Sequence, residues 1–313
     1  MNFTKNRVLT LALLAVAFVV LAILPQLTGG YIVTLLVDIL KFAILTVAWV
    51  MFSGPTGYMS LASAAFYGLG FYIAAVFSKD LPFPVLVLMA GAVAFFVAVG
   101  VGALTLRLRG VYFAIFTFAL VLLVQSVVLE IERVVTHTRG RFVETVSTEG
   151  VYYALFIVLV LTLLTALLIR RSRYGLALQS IGEYEEAAAH SGINVVWTKV
   201  LIFAVTAVFM GMAGAIIATR RTYIDPYIAF NLNTSFLPVL MAMFGGMGNL
   251  LGPVLGAALF TYIGELLLTR FPDLYMLIFG VVLILAIVFM PLGAVGLIQQ
   301  VWRKIRGGRR APA

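Results

Sequence analysis

The side chains that could carry out a reaction are few in this sequence, and they are widely separated. The two histidines, His137 and His190, fall in different polar segments, and there is no cysteine for a thiolate site, a disulfide or a nucleophile. The sequence contains no Gly-x4-Gly-Lys-Ser/Thr phosphate loop, no Gly-x-Ser-x-Gly elbow and no His-Glu-x-x-His pair. We therefore predict no catalytic residue, no metal site and no nucleotide pocket on this chain.

Polar side chains inside apolar segments are the next candidates. Asp38 and Lys41 are three residues apart, hence on one face of a helix. Charges in hydrocarbon pair with each other or face water, so we interpret them as a structural ion pair, with a role in a solute path as the alternative. Tyr58, Ser60 and Ser63 place hydroxyl groups on another apolar segment. These groups could bind a solute or a neighbouring helix.

Glycines are concentrated in one segment, and the last three are spaced four residues apart. In lipid, small residues at this spacing let helix backbones approach closely. Packing within the chain is the favoured interpretation, and pore lining or subunit contact is the alternative. The glycines are Gly245, Gly246, Gly248, Gly252 and Gly256.

The amino-acid composition indicates whether these segments lie in water or in lipid. Of 313 residues, 63% are hydrophobic and 11% are charged, whereas a soluble domain is about half apolar and about a quarter charged. A soluble fold would expose large apolar patches. Because backbone polar groups in lipid must be satisfied internally, we predict an all-α integral membrane protein, a polytopic helical bundle.

The apolar segments predict up to ten crossings of roughly 20 residues each. The first follows Lys5 and Arg7, but its length and the lack of a small-x-small cleavage site favour an uncleaved span over a signal peptide. The eighth and ninth could instead form a re-entrant or broken segment, so we expect eight to ten. The predicted spans are about 8–25, 31–52, 58–78, 83–106, 111–129, 151–169, 198–218, 230–247, 250–269 and 274–292.

The distribution of charge predicts the orientation. With the N-terminus in the cytoplasm, most lysines and arginines fall on the inner side, as the positive-inside rule requires, so both termini are predicted to be cytoplasmic. The polar segment 130–150 is then outside, either as a plain connection or as a contact for a delivering protein. Segment 170–197 is inside. The basic C-terminal tail suits anionic lipid headgroups better than nucleic acid.

The inner segment contains a predicted short amphipathic helix at 175–190, which Gly192 stops. Apolar residues recur at helical spacing on one side and carboxylates line the other. Held between two spans, this helix has the shape of a docking element that pairs with a partner's arginines, although an interfacial amphipathic helix is the alternative. The apolar residues are Leu178, Ile181 and Ala188, and the acidic ones are Glu183, Glu185 and Glu186.

Residues 185–193, Glu-Glu-Ala-Ala-Ala-His-Ser-Gly-Ile, resemble the EAA signature of bacterial ABC-importer permeases. Segments 57–66, 109–114 and 245–257 are similar to the branched-chain amino acid permease family, particularly its LivM-like subunits. The resemblance covers nearly the whole chain. It departs from the family pattern at Tyr58, where Gln is usual, and in several other places, which bears on the solute. The other departures are Ala62, Ser63, Gln179, Gly182 and 138–140.

The resemblance implies one transmembrane permease domain, residues 1–313, in the bacterial inner membrane. Its implied partners are a second, LivH-like permease, two nucleotide-binding subunits that hydrolyse the ATP, and a periplasmic solute-binding protein. The implied cargo is a small polar solute, a branched-chain or related amino acid. Segment 170–197 would be the loop that couples to the ATPase, through Glu183, Glu185, Glu186, Ala187, Ala188 and Gly192.

Other classes of protein remain as alternatives. An ion-coupled secondary transporter would work without an ATPase and would carry carboxylates deep in its spans, where Asp38 is the one candidate. A membrane enzyme would need converging polar residues, and a structural scaffold would not need an amphipathic inner helix.

Overall fold

The computed structural model describes residues 23–27, 29–137 and 140–272, together with 274, 277, 278, 280 and 281. Within this part of the chain, seven helices are long and apolar enough to cross a membrane. The predicted spans at 8–25 and 274–292 lie largely outside the described residues. The elements are α1 (Gly30–Thr56), α2 (Ser63–Phe77), α3 (Phe83–Thr105), α4 (Val111–Ile131), β1 (Arg141–Phe142), α5 (Thr148–Arg171), α6 (Arg173–Glu183), α7 (Glu185–His190), α8 (Val195–Ala218), β2 (Tyr223–Ile224), α9 (Pro226–Ala229), α10 (Asn233–Gly245) and α11 (Leu251–Arg270).

The prediction of an all-helical membrane bundle is confirmed. A short π-helical turn, Glu132–Thr136, extends α4, and β1 and β2 are a two-residue antiparallel pair that joins two loops. Of the seven long helices, α1 and α8 are the most enclosed, and α4 is the most peripheral. We name the two ends of the bundle after the residues that mark them. Helix α1 starts at the Asp38 end and finishes at the Glu185 end.

Glycines allow the closest helix contacts. A Cβ atom on Gly214 of α8 would overlap the carbonyl oxygen of Tyr67 in α2, and one on Gly256 of α11 would overlap that of Met241 in α10. Gly245 and Gly252 meet in the same way, so α10 and α11 form an antiparallel hairpin. These contacts support packing within the chain, the favoured interpretation of the glycine-rich segment.

The crossing predicted at 58–78 differs from its prediction. A continuous span over 58–78 was expected, but the helix begins only at Ser63, because Gly57 adopts φ +70° and ends α1 in a left-handed conformation. Helix α2 has 15 residues and is therefore about 22 Å long, which is shorter than a hydrocarbon core of about 30 Å. Residues 57–62, which we call the unwound segment, connect α1 to α2.

Side chains from three other helices satisfy the backbone of the unwound segment. Thr117 Oγ1 of α4 accepts from Leu61 N at 3.0 Å, and Ser235 Oγ of α10 donates to Leu61 O at 2.7 Å. Trp49 Nε1 of α1 donates to Ser60 O at 2.7 Å. Because non-helical backbone is tolerated at membrane depth only where protein or water supplies hydrogen bonds, these contacts allow the helix to be interrupted.

Candidate functional site

The segment predicted as one helix over 175–190 consists of two helices. They meet at Tyr184, whose extended backbone, φ −156° and ψ 102°, interrupts the helical hydrogen bonds between α6 and α7. Gly192, with φ +83°, then ends α7. The amide of Ile193 donates to Ala188 O at 3.1 Å and that of Gly192 donates to Ala189 O at 3.0 Å, which is a Schellman motif. The predicted helix stop is confirmed.

The two helices lie against the bundle through the apolar residues that the periodicity indicated. Leu178, Ile181 and Ala188 are buried, and Val195 of α8 completes a small core with the last two. A Cβ atom on Gly182 would overlap the carbonyl oxygen of Pro55, so α6 sits directly on the end of α1. The remaining predicted coupling residues, Glu183, Glu186, Ala187 and Gly192, are exposed.

Glu185 faces the bundle, where it meets Tyr58 and Lys199. Tyr58 Oη donates to Glu185 Oε2 at 2.5 Å, and Lys199 Nζ lies 3.1 Å from Glu185 Oε1 and 3.1 Å from Tyr58 Oη. Arg109 approaches from the exposed side, with Nε 3.8 Å from Glu185 Oε1. We call Tyr58, Glu185 and Lys199 the Glu185 clamp. It joins α7 to the unwound segment and to α8.

The electrostatics of the clamp favour an ionised Glu185. Partial burial raises the pKa of this carboxyl, but hydrogen bonds from Tyr58 and Lys199, with the positive charges of Lys199 and Arg109, outweigh it and leave the pKa below its ordinary value. The Lys199 side chain is 1% exposed. A cation so enclosed in a crossing helix requires a counter-charge, which Glu185 supplies.

The sequence did not identify Lys199 and Arg109 as site residues. Both were interpreted as charges that set the orientation of the spans, yet Arg109 binds Glu185 and also Glu186, with Nη1 3.3 Å from Glu186 Oε1. The signal for Lys199 was its position near the start of an apolar span, where an unpaired lysine is costly. The carboxylate expected to meet a partner's arginine is instead bound within the chain.

A cleft of about 440 Å³ opens beside α6 at the Glu185 end. Its walls come from the ends of α1 and α5 and from the link between α10 and α11, and Glu183 and Gln179 line its mouth. Arg170 Nη2 donates to Gly248 O at 2.8 Å across this region. The glycine-rich link therefore contacts the end of α5 next to α6.

The residues expected to line a solute path do not lie together. Tyr58 belongs to the clamp, and Ser60 and Ser63 border a cavity of only about 10 Å³. Asp38 and Lys41 are at the opposite end, about 30 Å away given 1.5 Å per residue along α1. Their predicted ion pair is confirmed, with Lys41 Nζ 3.0 Å from Asp38 Oδ1.

Glu265 is an acidic residue in a crossing helix, and it was not among the acids predicted to lie within a span. It lies in α11, is partly exposed, and forms no ion pair with a described residue. Asp38 is therefore not the one acid within the predicted spans. Within the described residues, no three His, Asp or Glu side chains are placed to hold a metal ion.

Comparison with known proteins agrees with this architecture. The family model described as "branched-chain amino acid transport system / permease component" matches residues 31–287. The chain belongs to this permease family. The resemblance predicted from 185–193 and 245–257 is thus confirmed, and the protein is a multi-pass membrane permease component, a class that does not itself catalyse a reaction.

Several curated permeases are similar to this one. The high-affinity branched-chain amino acid transport system permease protein LivM of Escherichia coli K12 is 26% identical over 278 residues, 77% of this chain and 64% of LivM. The xylose transport system permease protein XylH of Haemophilus influenzae is 31% identical over 113 residues, 35% of this chain and 30% of XylH. The L-arabinose transport system permease protein AraH of Escherichia coli K12 is 30% identical over 129 residues, 39% of each chain.

The permease thus spans less than two thirds of the length of each of these relatives. These relatives are named for the transport of amino acids or of sugars. No solved structure matches the chain.

Proposed function

We propose that this permease is a transmembrane subunit of an ATP-binding cassette importer, with the Glu185 end and both termini in the cytoplasm of a bacterial cell. It works with a second, LivH-like permease, two ATPase subunits and a periplasmic solute-binding protein. Its cargo is a small polar solute, a branched-chain or related amino acid. Similarity to LivM over most of the chain supports the amino acid class over the sugars of XylH and AraH, which match shorter segments.

The Glu185 clamp is the observation that carries this proposal. An amphipathic helix that only lies on a membrane directs its charged residues toward water. Here Glu185 points inward to a buried lysine, while its neighbours Glu186 and Ala187 are exposed. A short helix that is bonded to the bundle on one side and exposed on the other can pass a movement of another protein on to the bundle.

The route for that force follows the contacts. Displacement of α6 presses on α1 at Pro55 through Gly182, and displacement of α7 pulls α8 and the unwound segment through the clamp. The unwound segment is bonded to α4 and α10 through Thr117 and Ser235. A rigid-body movement of α6 and α7 therefore reaches the centre of the bundle, as in hinge and shear transitions.

The exposed side of α6 and α7 offers the surface that an ATPase subunit would cover. Leu176 and Tyr184 are 65% and 63% exposed, beside Glu183 and Glu186. Apolar anchors with a charged rim are typical of protein interfaces. Because Ala187 is exposed and takes no part in the clamp, a bulky residue there changes this surface and leaves the clamp intact.

Reconstituted vesicles test the proposal. With the second permease, the ATPase subunits and the binding protein present, leucine uptake requires ATP hydrolysis, and Ala187→Trp abolishes both the uptake and co-purification of the ATPase. Lys79→Trp, an exposed change at the Asp38 end, leaves ATPase binding unchanged. Full leucine uptake by vesicles that hold this permease without an ATPase would contradict the proposal and favour a secondary transporter.

A further inference from the structure

A cavity of about 660 Å³ opens at the Asp38 end, and we call it the Asp38 pocket. Side chains of α1, α2 and α10, with the residues that follow α8, form its walls. Charged and amide groups lie beside aromatic and aliphatic ones, which is the mixture expected of a small-molecule site. The pocket is lined by Asp38, Lys41, Phe42, Tyr67, Phe71, Ile217, Arg220, Arg221, Tyr227, Ile228, Asn231, Asn233 and Thr234.

The lining is cationic. Asp38 is held between Lys41 Nζ at 3.0 Å from Oδ1 and Arg220 Nη1 at 3.5 Å from Oδ2. Arg221 also lines the pocket and forms no ion pair with any described residue. Three cations face one carboxylate that already serves two of them, so the described lining carries an excess of positive charge. An anionic group inside the pocket would balance it.

The start of α10 adds to this attraction. Residues 230–232 separate α9 from α10, so the 13-residue helix α10 begins at the pocket with Asn233 and Thr234. A helix N-terminus carries partial positive charge. The first backbone amides of α10 are already bonded, since Thr234 N donates to Asn231 O and Ser235 N and Phe236 N donate to Leu232 O. Asn231 Oδ1 accepts from Asn233 N at 2.9 Å, which leaves the amide nitrogen of Asn231 as the group that can donate to a ligand. Interrupted helices in transporters direct such N-termini at anionic solute groups.

We propose that the Asp38 pocket binds a small solute that bears a carboxylate, with the carboxylate held by Arg221 and by the side-chain amide nitrogen of Asn231 beside the start of α10. The apolar wall formed by Phe42, Phe71 and Ile217 covers the aliphatic part of that solute. This inference rests on the proposed transport function, because it makes the pocket the first site on the permease after delivery. A neutral sugar offers no carboxylate to Arg221.

Photo-crosslinking of the full chain in nanodiscs of zwitterionic lipid tests the pocket directly, with no binding protein to impose its own selectivity. The probe is photo-leucine, the diazirine analogue of leucine. Because the diazirine lies on the aliphatic side chain, we expect it to label the peptides that contain Phe42, Phe71 or Ile217, and we expect leucine to compete. Leucinol, which lacks the carboxylate, and xylose should compete at least about tenfold more weakly, since a charge-assisted hydrogen bond is lost.

Substitution at Arg221 provides the second readout. Arg221→Gln lowers labelling at least about tenfold, whereas Arg221→Lys, which keeps the charge, lowers it less. Arg133→Gln removes a cation from the same end, where Arg133 is 78% exposed and 3.7 Å from Glu130, and leaves labelling unchanged. Circular dichroism of each variant verifies that the helical fold is retained.

Three results would overturn the inference: equal competition by leucine and leucinol, full labelling of Arg221→Gln, or competition by a glutamate-rich peptide but not by leucine. The last would show that the carboxylate belongs to a docking protein. The proposed function fails separately. If labelling depends on the carboxylate but ATP drives no uptake in the complete vesicles, the importer proposal is wrong and the pocket stands.

Discussion

Lys199 in α8 and Glu185 in α7 form an ion pair, with Nζ 3.1 Å from Oε1, and the lysine is almost wholly enclosed. The two residues are fourteen positions apart, on separate helices. If α7 moved away alone, a buried cation would remain without a counter-charge in a crossing helix, which is costly. Helices α7 and α8 are therefore expected to move together.

Lys199→Met tests this linkage. The substitution keeps the volume of the side chain but removes the charge, so Glu185 loses a hydrogen bond and the nearer of its two counter-ions, Lys199 and Arg109. We expect a loss of about 1–3 kcal/mol in the local stability of α7. Hydrogen exchange of residues 185–192 measures it, with Lys79→Met as the matched control. Unchanged protection in Lys199→Met would show that the clamp does not hold α7.

Tyr58→Phe removes one hydroxyl and keeps the ring that packs edge-on against Phe113, with centroids 5.6 Å apart. The cost should be smaller, about 0.5–1.5 kcal/mol. The pKa of Glu185 should rise toward its ordinary value, because it loses a hydrogen bond that favours the ionised form. Infrared titration against Glu185→Gln reports that change. Strict additivity with Lys199→Met would argue against one connected network.

Low pH should weaken the attachment of α7 to the bundle. The pKa of Glu185 is lower in the folded protein than its ordinary value of 4.5, so its contribution to stability is complete above that value and is lost as the pH falls through the folded pKa. Hydrogen exchange of residues 185–192 in detergent, followed from neutral to acidic pH, should show protection falling in this acidic window. Glu185→Gln should abolish the dependence and Glu186→Gln should retain it. An equal pH dependence in Glu185→Gln would assign the effect to another group.

Gly182→Ala should disturb the seat of α6 on α1. The new methyl group would overlap the carbonyl oxygen of Pro55, which is backbone and cannot turn away. We expect a loss of about 1–3 kcal/mol in stability, typical of overpacking, and reduced ATP-driven uptake. Gly248→Ala is the matched control, since nothing lies within 4 Å of its Cβ position. Thermal unfolding in detergent compares the two variants. Equal melting temperatures would contradict a direct contact between α6 and the end of α1.

Ser235→Ala should weaken the unwound segment. Its hydroxyl donates to Leu61 O and accepts from Ala64 N at 3.0 Å, so alanine leaves two buried backbone groups without that partner. The expected cost is about 1–3 kcal/mol. Ser63→Ala provides the contrast, because the equally buried Ser63 hydroxyl has no hydrogen-bond partner among the residues that the structure describes. In chemical denaturation, the free energy of unfolding of Ser235→Ala should be well below that of Ser63→Ala. The reverse order would be inconsistent with this account.

Features that depend on local pattern could be predicted from the sequence. Long apolar runs located the crossings, and Gly192 located the end of α7, because both follow from the chain's own geometry and solvent preference. The ion pair of Asp38 and Lys41 followed from their spacing on one helical face. In each case the relevant partner lies within a few residues along the chain.

Features that depend on partners far away along the chain could not be predicted from the sequence. The unwound segment is stable because Thr117 and Ser235 lie beside it, and hydropathy alone reports only an apolar run. From the sequence, Lys199 was interpreted as a charge at the end of a span. Its ion pair with Glu185 is evident only in the folded structure. The break at Tyr184 carries neither glycine nor proline, so no local signal marked it.

The unwound segment has a consequence for the biogenesis of the permease. Its amide and carbonyl groups are satisfied partly by Thr117 and Ser235, which are translated 56 and 174 residues after Leu61. This crossing is therefore synthesised before its last bonding partner. Leu61 O and Ala64 N gain their hydrogen bonds to Ser235 only after α10 has been synthesised, so the packing of this crossing is completed late and from the C-terminal half.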